Sequence, residues 1–305
     1  VMLPVIAYNL LKSMALLSGS INVLANKTIK SAYTIFPLAL FLIFTVLYLI
    51  FLWSDEEVPV YQFNPVEQLH HDKNLFTQGL EYKNGLLYEG SGLRGASELR
   101  VTKIGSDEIL QRRFLEKNYF GEGITIFEDK IYQLTWQSGK GFIYDLKTLE
   151  LRGEFSINGE GWGLTNDGKR LIMSNGSDKL IFLDPYSLKP TGELSVTLEG
   201  KAQFLLNELE YIRGEVWANI WKNDQIVIID PLSGKVKSIV DLSNFSERKR
   251  RYDVSNGIAF DKAQNTVYLT GKNWSFIYVS KLDQKRKIKR NLFSRAYSRF
   301  GFLLR

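Results

Sequence analysis

The stretch GLEYKNGLLYEGSG, Gly79 to Gly92, reads as a short alternating strand, a turn around Asn84-Gly85, and a second strand. The same phrase returns as GITIFEDKIYQLTWQ (123–137), GLTNDGKRLIMSNGS (163–177), ELEYIRGEVWANIWK (208–222) and GIAFDKAQNTVYLTGK (257–272). The starts lie 44, 40, 45 and 49 residues apart. A period of that length belongs to arrays of like units.

A second phrase follows the first. FIYDLKTLELRGEF (142–155), IFLDPYSLKPTGEL (181–194) and IVIIDPLSGKVKSIV (226–240) read strand, turn, strand, with Asp145, Asp184 and Asp230 opening the turns. LRVTKIGSDEILQRRF (99–114) is a looser copy. Four short strands per unit and five units predict an all-β, five-bladed β-propeller over residues 72–280. A β-sandwich also supplies strands at regular spacing, but gives no reason for one two-hairpin phrase to recur. The Trp-Asp repeat signature is absent.

At 305 residues, 45% hydrophobic and 24% charged, the chain is long enough for one large domain or two small ones. It has no cysteine, so disulfides and thiolate metal sites are both excluded. The net charge of +6 is unevenly held: residues 1–54 carry +3 and 281–305 carry +8, leaving the body at −5. A mildly acidic body is a poor nucleic-acid surface, and no nucleic-acid partner is expected.

The span Tyr33–Trp53 has 21 residues and no charge. As a helix it would cross the ~30 Å apolar core of a bilayer. Lys27 and Lys30 precede it, and Asp55, Glu56 and Glu57 follow it. The positive-inside rule then keeps the first segment cytoplasmic and sends the body across. The domain reading is an N-terminal cytoplasmic segment at 1–32, apolar in part, and a transmembrane signal-anchor helix at 33–53. A linker and lead-in strand follow at 54–71, then the propeller at 72–280. A basic tail at 281–305 suits a solvated end or an anionic membrane surface. The expected location is a secretory-pathway membrane with the propeller luminal or extracellular, or periplasmic-facing in a bacterium. Sequons at Asn175, Asn244 and Asn273 fit N-glycosylation there. The two histidines, His70 and His71, are adjacent. On a strand they point to opposite faces and make a poor metal pair.

In a propeller the innermost strand of each blade runs along the central channel, so the residues leading into those strands gather on one axial face. Here they are Gln78, Glu122, Trp162, Asn207 and Asn256, with Trp136, Trp221 and Lys272 near the same mouth. Glu122 stands between Gly121 and Gly123, just after Phe120. The glycines are expected to let the backbone turn tightly and a ligand approach closely. Phe120 and the indoles should desolvate the carboxyl and raise its pKa toward neutrality, as a general acid/base requires.

From FTQGLEY through FGEGITIFEDKIYQLTWQ, GEGWGLTNDGKRLIMSNGS and LNELEYIRGEVWANIW to SNGIAFD and LTGKNW, about 210 residues in unbroken order, the chain resembles the plant- and bacterial-type glutaminyl-peptide cyclotransferases. The resemblance implies a five-bladed propeller that cyclises N-terminal glutamine of peptides or proteins to pyroglutamate and releases ammonia. It implies no cofactor and no catalytic metal. It makes Glu122 the acid/base, and it places Phe76, Gln78, Phe120, Trp136, Trp162, Asn207, Trp221 and Lys272 in the substrate pocket.

Two other readings fit the residues alone. Glu122, Asn207 and Asn256 could imitate the oxygen set of a calcium-dependent propeller lactonase or esterase, although Glu122 is the one charged member. A membrane-anchored propeller could also hold a peptide without acting on it.

Overall fold

The computed structural model describes residues 2–25, 40–45, 57–106, 108–244, 246–247, 253–282 and 286–288. The chain divides into two compact units, Val1–Glu56 and Glu57–Arg305. In the first, Met2–Ala25 is an α-helix, and residues 40–45 are helical. Among the described residues no helix is long and apolar enough to cross a membrane. The expected span 33–53 lies outside the described residues apart from 40–45.

Among the described residues the second unit has five blade sheets in a ring and one small two-stranded hairpin, Thr197–Leu198 with Lys201–Ala202. Blade 1 comprises Thr77–Lys83, Leu86–Ser91, Glu98–Lys103 and Ile109–Phe114. Blade 2 comprises Gly121–Phe127, Lys130–Thr135, Lys140–Asp145 and Leu151–Ser156. Blade 3 comprises Leu164–Asn166, Leu171–Met173, Lys179–Leu183 and Pro190–Ser195. Blade 4 comprises Leu206–Ile212, Glu215–Ile220, Gln225–Ile229 and Val236–Asp241. Blade 5 takes Ser255–Asp261, Thr266–Gly271 and Phe276–Lys281 from the end of the body and its outer strand, Glu67–His70, from the start. The pairing Glu67↔Val279 to His70↔Phe276 is antiparallel and closes the ring. Val60–Gln62 adds a parallel fifth strand to blade 4, and Arg286–Ile288, inside the basic tail, adds a sixth. Residues 289–305 lie outside the described residues.

The apolar core forms layers between neighbouring blades. Leu99 and Val101 of blade 1 meet Ile124, Ile131 and Phe142 of blade 2, and like layers separate the other neighbours. Strand alternation puts apolar residues on both faces of each blade, and each face is covered by the next blade. The turn chemistry also repeats. Asp145 Oδ1 accepts from the backbone N–H groups of Lys147 and Thr148, Asp184 Oδ1 from Tyr186 and Ser187, and Asp230 Oδ1 from Leu232. Four residues after each aspartate the chain turns left-handed, at Leu149, Leu188 and Gly234.

Candidate active site

Four of the five inner strands open on a β-bulge. The register slips between Thr77 and Gly79, Gly121 and Ile124, Leu206 and Leu209, and Ser255 and Ile258. The residues inside those slips include Gln78, Glu122, Asn207 and Asn256. A bulge re-aims a side chain off the ladder, and here it does so to four polar residues at one end of the channel. Blade 3 has a shorter inner strand preceded by Trp162, whose carbonyl accepts from the Gly123 N–H at 2.7 Å.

Gly121 and Gly123 serve a purpose other than the expected tight turn. Neither has a positive φ. A Cβ on Gly123 would stand 2.6 Å from both the Leu164 nitrogen and the Trp162 carbonyl oxygen, and one on Gly163 would stand 2.0 Å from the Asn207 oxygen. Gly123 and Gly163 let adjacent inner strands touch backbone to backbone around the axis, while Gly121 lies against the Ser91 carbonyl of blade 1's second strand, 2.8 Å from where a Cβ would stand.

Glu122 is 4% exposed. Its Oε1 accepts from Gln78 Nε2 at 2.8 Å. Burial pushes the carboxyl well above the usual carboxylate range; the Lys272 ammonium opposes this, and the charge of Glu160 adds to it. Lys272 is itself buried, which pulls its ammonium down to about 8 against the attraction of Glu122. Its Nζ lies 5.0 Å from the centroid of the Phe76 ring.

The aromatic residues form a wall in two parts. Phe76 meets Phe120 edge-on at 6.1 Å, and Phe120 meets Trp136 at 5.4 Å. Trp162 meets Trp221 at 5.3 Å. The two parts are joined by Glu160, a residue the sequence reasoning missed. Its Oε2 accepts from the indole nitrogens of Trp136 (2.8 Å) and Trp162 (2.9 Å). Its position in GEGWG, a second carboxylate between glycines beside an aromatic, was the available signal.

Asn207 is 2% exposed, its carbonyl accepting from Ser174 Oγ at 2.7 Å. Among the described residues its side-chain amide makes no hydrogen bond. Among the described residues the Lys272 ammonium likewise donates to no acceptor. Two buried donors are thus available to a ligand. Among the described residues no three His, Asp or Glu side chains are grouped to hold a metal ion. Asn256, a member of the supposed oxygen set, has its amide nitrogen engaged by Thr77 O and Gln78 Oε1.

His70 is exposed and His71 buried. His71 is held by Trp274 O at 2.8 Å and Glu89 Oε1 at 3.0 Å. Burial alone would lower its pKa, but Glu89 and the Trp274 carbonyl raise it above the usual histidine value. Of the sequons, Asn244 is exposed. Asn175 accepts from Ser177 in a local turn, and the Asn273 side-chain nitrogen donates to Asp253.

A different carboxylate set fills the channel. Glu208 takes the place that glycine has in the other four repeats, and its two oxygens accept from the backbone N–H groups of Leu80 and Ile258. Glu81 accepts from Thr125 Oγ1 and the Ile126 N–H, while Glu210 accepts from Thr165 Oγ1. Burial raises all three carboxyls, Glu81 to about 7.

The sequence signature of the glutamine cyclotransferase family matches residues 41–282. The chain belongs to the glutamine cyclotransferase family. A glutaminyl-peptide cyclotransferase of Arabidopsis thaliana is 40% identical over 228 residues, covering 72% of this chain and 71% of that protein. The crystal structure of Myxococcus xanthus glutaminyl cyclase superposes with a TM-score of 0.71 at 28% identity, covering 76% of this chain and all of that one. In this glutamine cyclotransferase family member, the bulged polar residues and the Glu160-linked indoles therefore occupy the axial mouth of a propeller shared with a glutaminyl cyclase.

Proposed function

We propose that the chain converts N-terminal glutamine of peptides or proteins to pyroglutamate with release of ammonia, and that Glu122 is its general acid/base. The observation that carries this reading is a buried carboxyl with a raised pKa, held by Gln78 among aromatic rings and two uncommitted donors. The α-amine attacks the γ-amide carbon, forming the ring C–N bond. The bond to the side-chain amide nitrogen breaks, and that nitrogen leaves as ammonia. Glu122 accepts the proton that the amine sheds and returns it to the departing nitrogen, so the enzyme ends as it began. The reaction is intramolecular, and most of the gain comes from holding the glutamine folded in a near-attack shape. Trp136, Trp162 and Trp221 enclose it, with Phe76 and Phe120 beside them. Asn207 and Lys272 donate to the oxygen that gains charge on the amide carbon.

Purified full-length chain supplied with a glutamine-initiated dipeptide in EDTA should release ammonia. The Glu122→Gln variant should lose at least about 100-fold in kcat. An active Glu122→Gln variant would remove the carboxyl from its role, and a folded but inert wild type would favour a propeller that holds a peptide without acting on it.

We further propose that residues 33–53 anchor the protein and that the propeller lies on the luminal or extracellular side. The uncharged stretch with its lysine and acidic flanks supports this. Asn244 is the preferred glycan acceptor, since the Asn273 nitrogen is engaged by Asp253. Full-length protein should stay with membranes in alkaline carbonate, and glycosidase should change its mobility unless Asn244 is replaced by Gln. Release by carbonate would rule out the anchor.

A further inference from the structure

Asn256 leads the inner strand of blade 5 and is fully buried. Its Nδ2 donates to the backbone carbonyl of Thr77 and to Gln78 Oε1, each at 2.9 Å. Gln78 Nε2 then donates to Glu122 Oε1 at 2.8 Å. A primary amide can be turned end for end, so the direction of such a chain needs a fixed reference. The Thr77 carbonyl is that reference, because a backbone oxygen can only accept. It requires the NH₂ end of Asn256 on its side. The second N–H of that group makes the Gln78 oxygen an acceptor, and the Gln78 NH₂ is left to face Glu122. The reversed arrangement would set the Asn256 oxygen against two carbonyl oxygens. The direction is kept although Asn256 Oδ1 is left buried without a partner among the described residues, an arrangement that is costly in itself.

This chain has a chemical result at its far end. Glu122 Oε1 must accept from Gln78 whether or not the carboxyl is protonated. Among the described residues Oε2 has no hydrogen-bond partner. We propose that Asn256 is a positioning residue which, through Gln78, pins Glu122 Oε1 as a permanent acceptor and makes Oε2 the oxygen that takes and returns the proton. The proposal rests on the acid/base reading of Glu122.

The test is the acid limb of kcat/KM against pH, which reports the free enzyme. Donation from Gln78 stabilises the carboxylate, so Asn256→Ala, which lets Gln78 turn over, should move the limb to higher pH. It should also cost roughly tenfold in kcat/KM at neutral pH. In a Gln78→Ala background the same change should move the limb no further, because its effect runs through Gln78. Asn256→Ser stays uncharged but is too short to donate to both acceptors, and should shift the limb in the same direction. It serves if the alanine variant is poorly folded. A limb that superimposes on wild type in folded variants overturns the proposal, as does a shift of equal size with and without Gln78. The acid/base reading fails separately, and is seen to fail, if Glu122→Gln retains wild-type turnover.

Discussion

Glu122 is acted on by two charges of opposite sign, and each has a separable effect. Lys272 holds its pKa down against the larger effect of burial, and Glu160 pushes it up in the same direction as burial. Lys272→Met should therefore move the acid limb of kcat/KM to higher pH, besides costing roughly 10- to 100-fold in kcat if the ammonium donates to the reacting oxygen. Glu160→Gln should move the limb to lower pH, and the loosened Trp136 and Trp162 should raise KM several-fold. Limb shifts of the same sign in both variants would show that these charges do not act on Glu122 as described. Glu122, Gln78 and Asn207 were legible in the sequence because each leads a repeat copy, and position in a repeat translates directly into position around an axis. Glu160 was not, because its GEGWG setting marks a carboxylate beside an aromatic without telling a bridge between two indoles from the cap of a turn.

The inner strand is the element on which the ring depends. Gly163→Ala would drive a Cβ into the Asn207 backbone at 2.0 Å. A backbone cannot rotate aside as a side chain can, so the expected cost exceeds about 3 kcal/mol. Gly153→Ala, where the nearest atom is a side-chain methyl at 3.8 Å, should stay within about 0.5 kcal/mol. Urea midpoints of the two variants check this, and equal midpoints would contradict close axial packing. The hairpins and their Asp-led turns could be read from the sequence because their chemistry is local. The bulges could not, since a register slip of one or two residues leaves the apolar alternation nearly unchanged. The tightness of the axis also escaped: Gly121 and Gly123 suggest a turn until the neighbouring blade is in place. Glu81 and Glu210 occupy the same position in GLEY and ELEY, where other copies carry Thr125 and Thr165. That substitution pattern was visible, but its meaning required knowing that the residues face one another's blades.

For the molecule as a whole, the channel carboxylates set a pH dependence of stability. An unfolded glutamate releases its proton near 4.5, whereas folded Glu81 holds it to about 7. Between those values the folded state binds more protons, so stability is greatest below the lower value and falls as pH rises through the upper one. His71, held above its usual value, acts in the same direction. The urea midpoint should drop between pH 5 and pH 8, and Glu81→Gln should flatten the drop without abolishing it. A midpoint that rises over this range would mean that the channel carboxyls are ionised in the folded protein.

The outer strand of the last blade is made before the four-strand run of any other blade begins. Glu67–His70 leaves the ribosome roughly 200 residues before its partner Phe276–Lys281. At ~5–20 residues per second that is a delay on the order of 10–40 s. During it, a nascent chain carries completed blades, an orphan strand at one end and a bare sheet edge at the other. Such an edge can pair with a neighbouring nascent chain on the same message as readily as with its own. The yield of correctly formed protein should therefore depend on how quickly the final fifty or so codons of the propeller are translated.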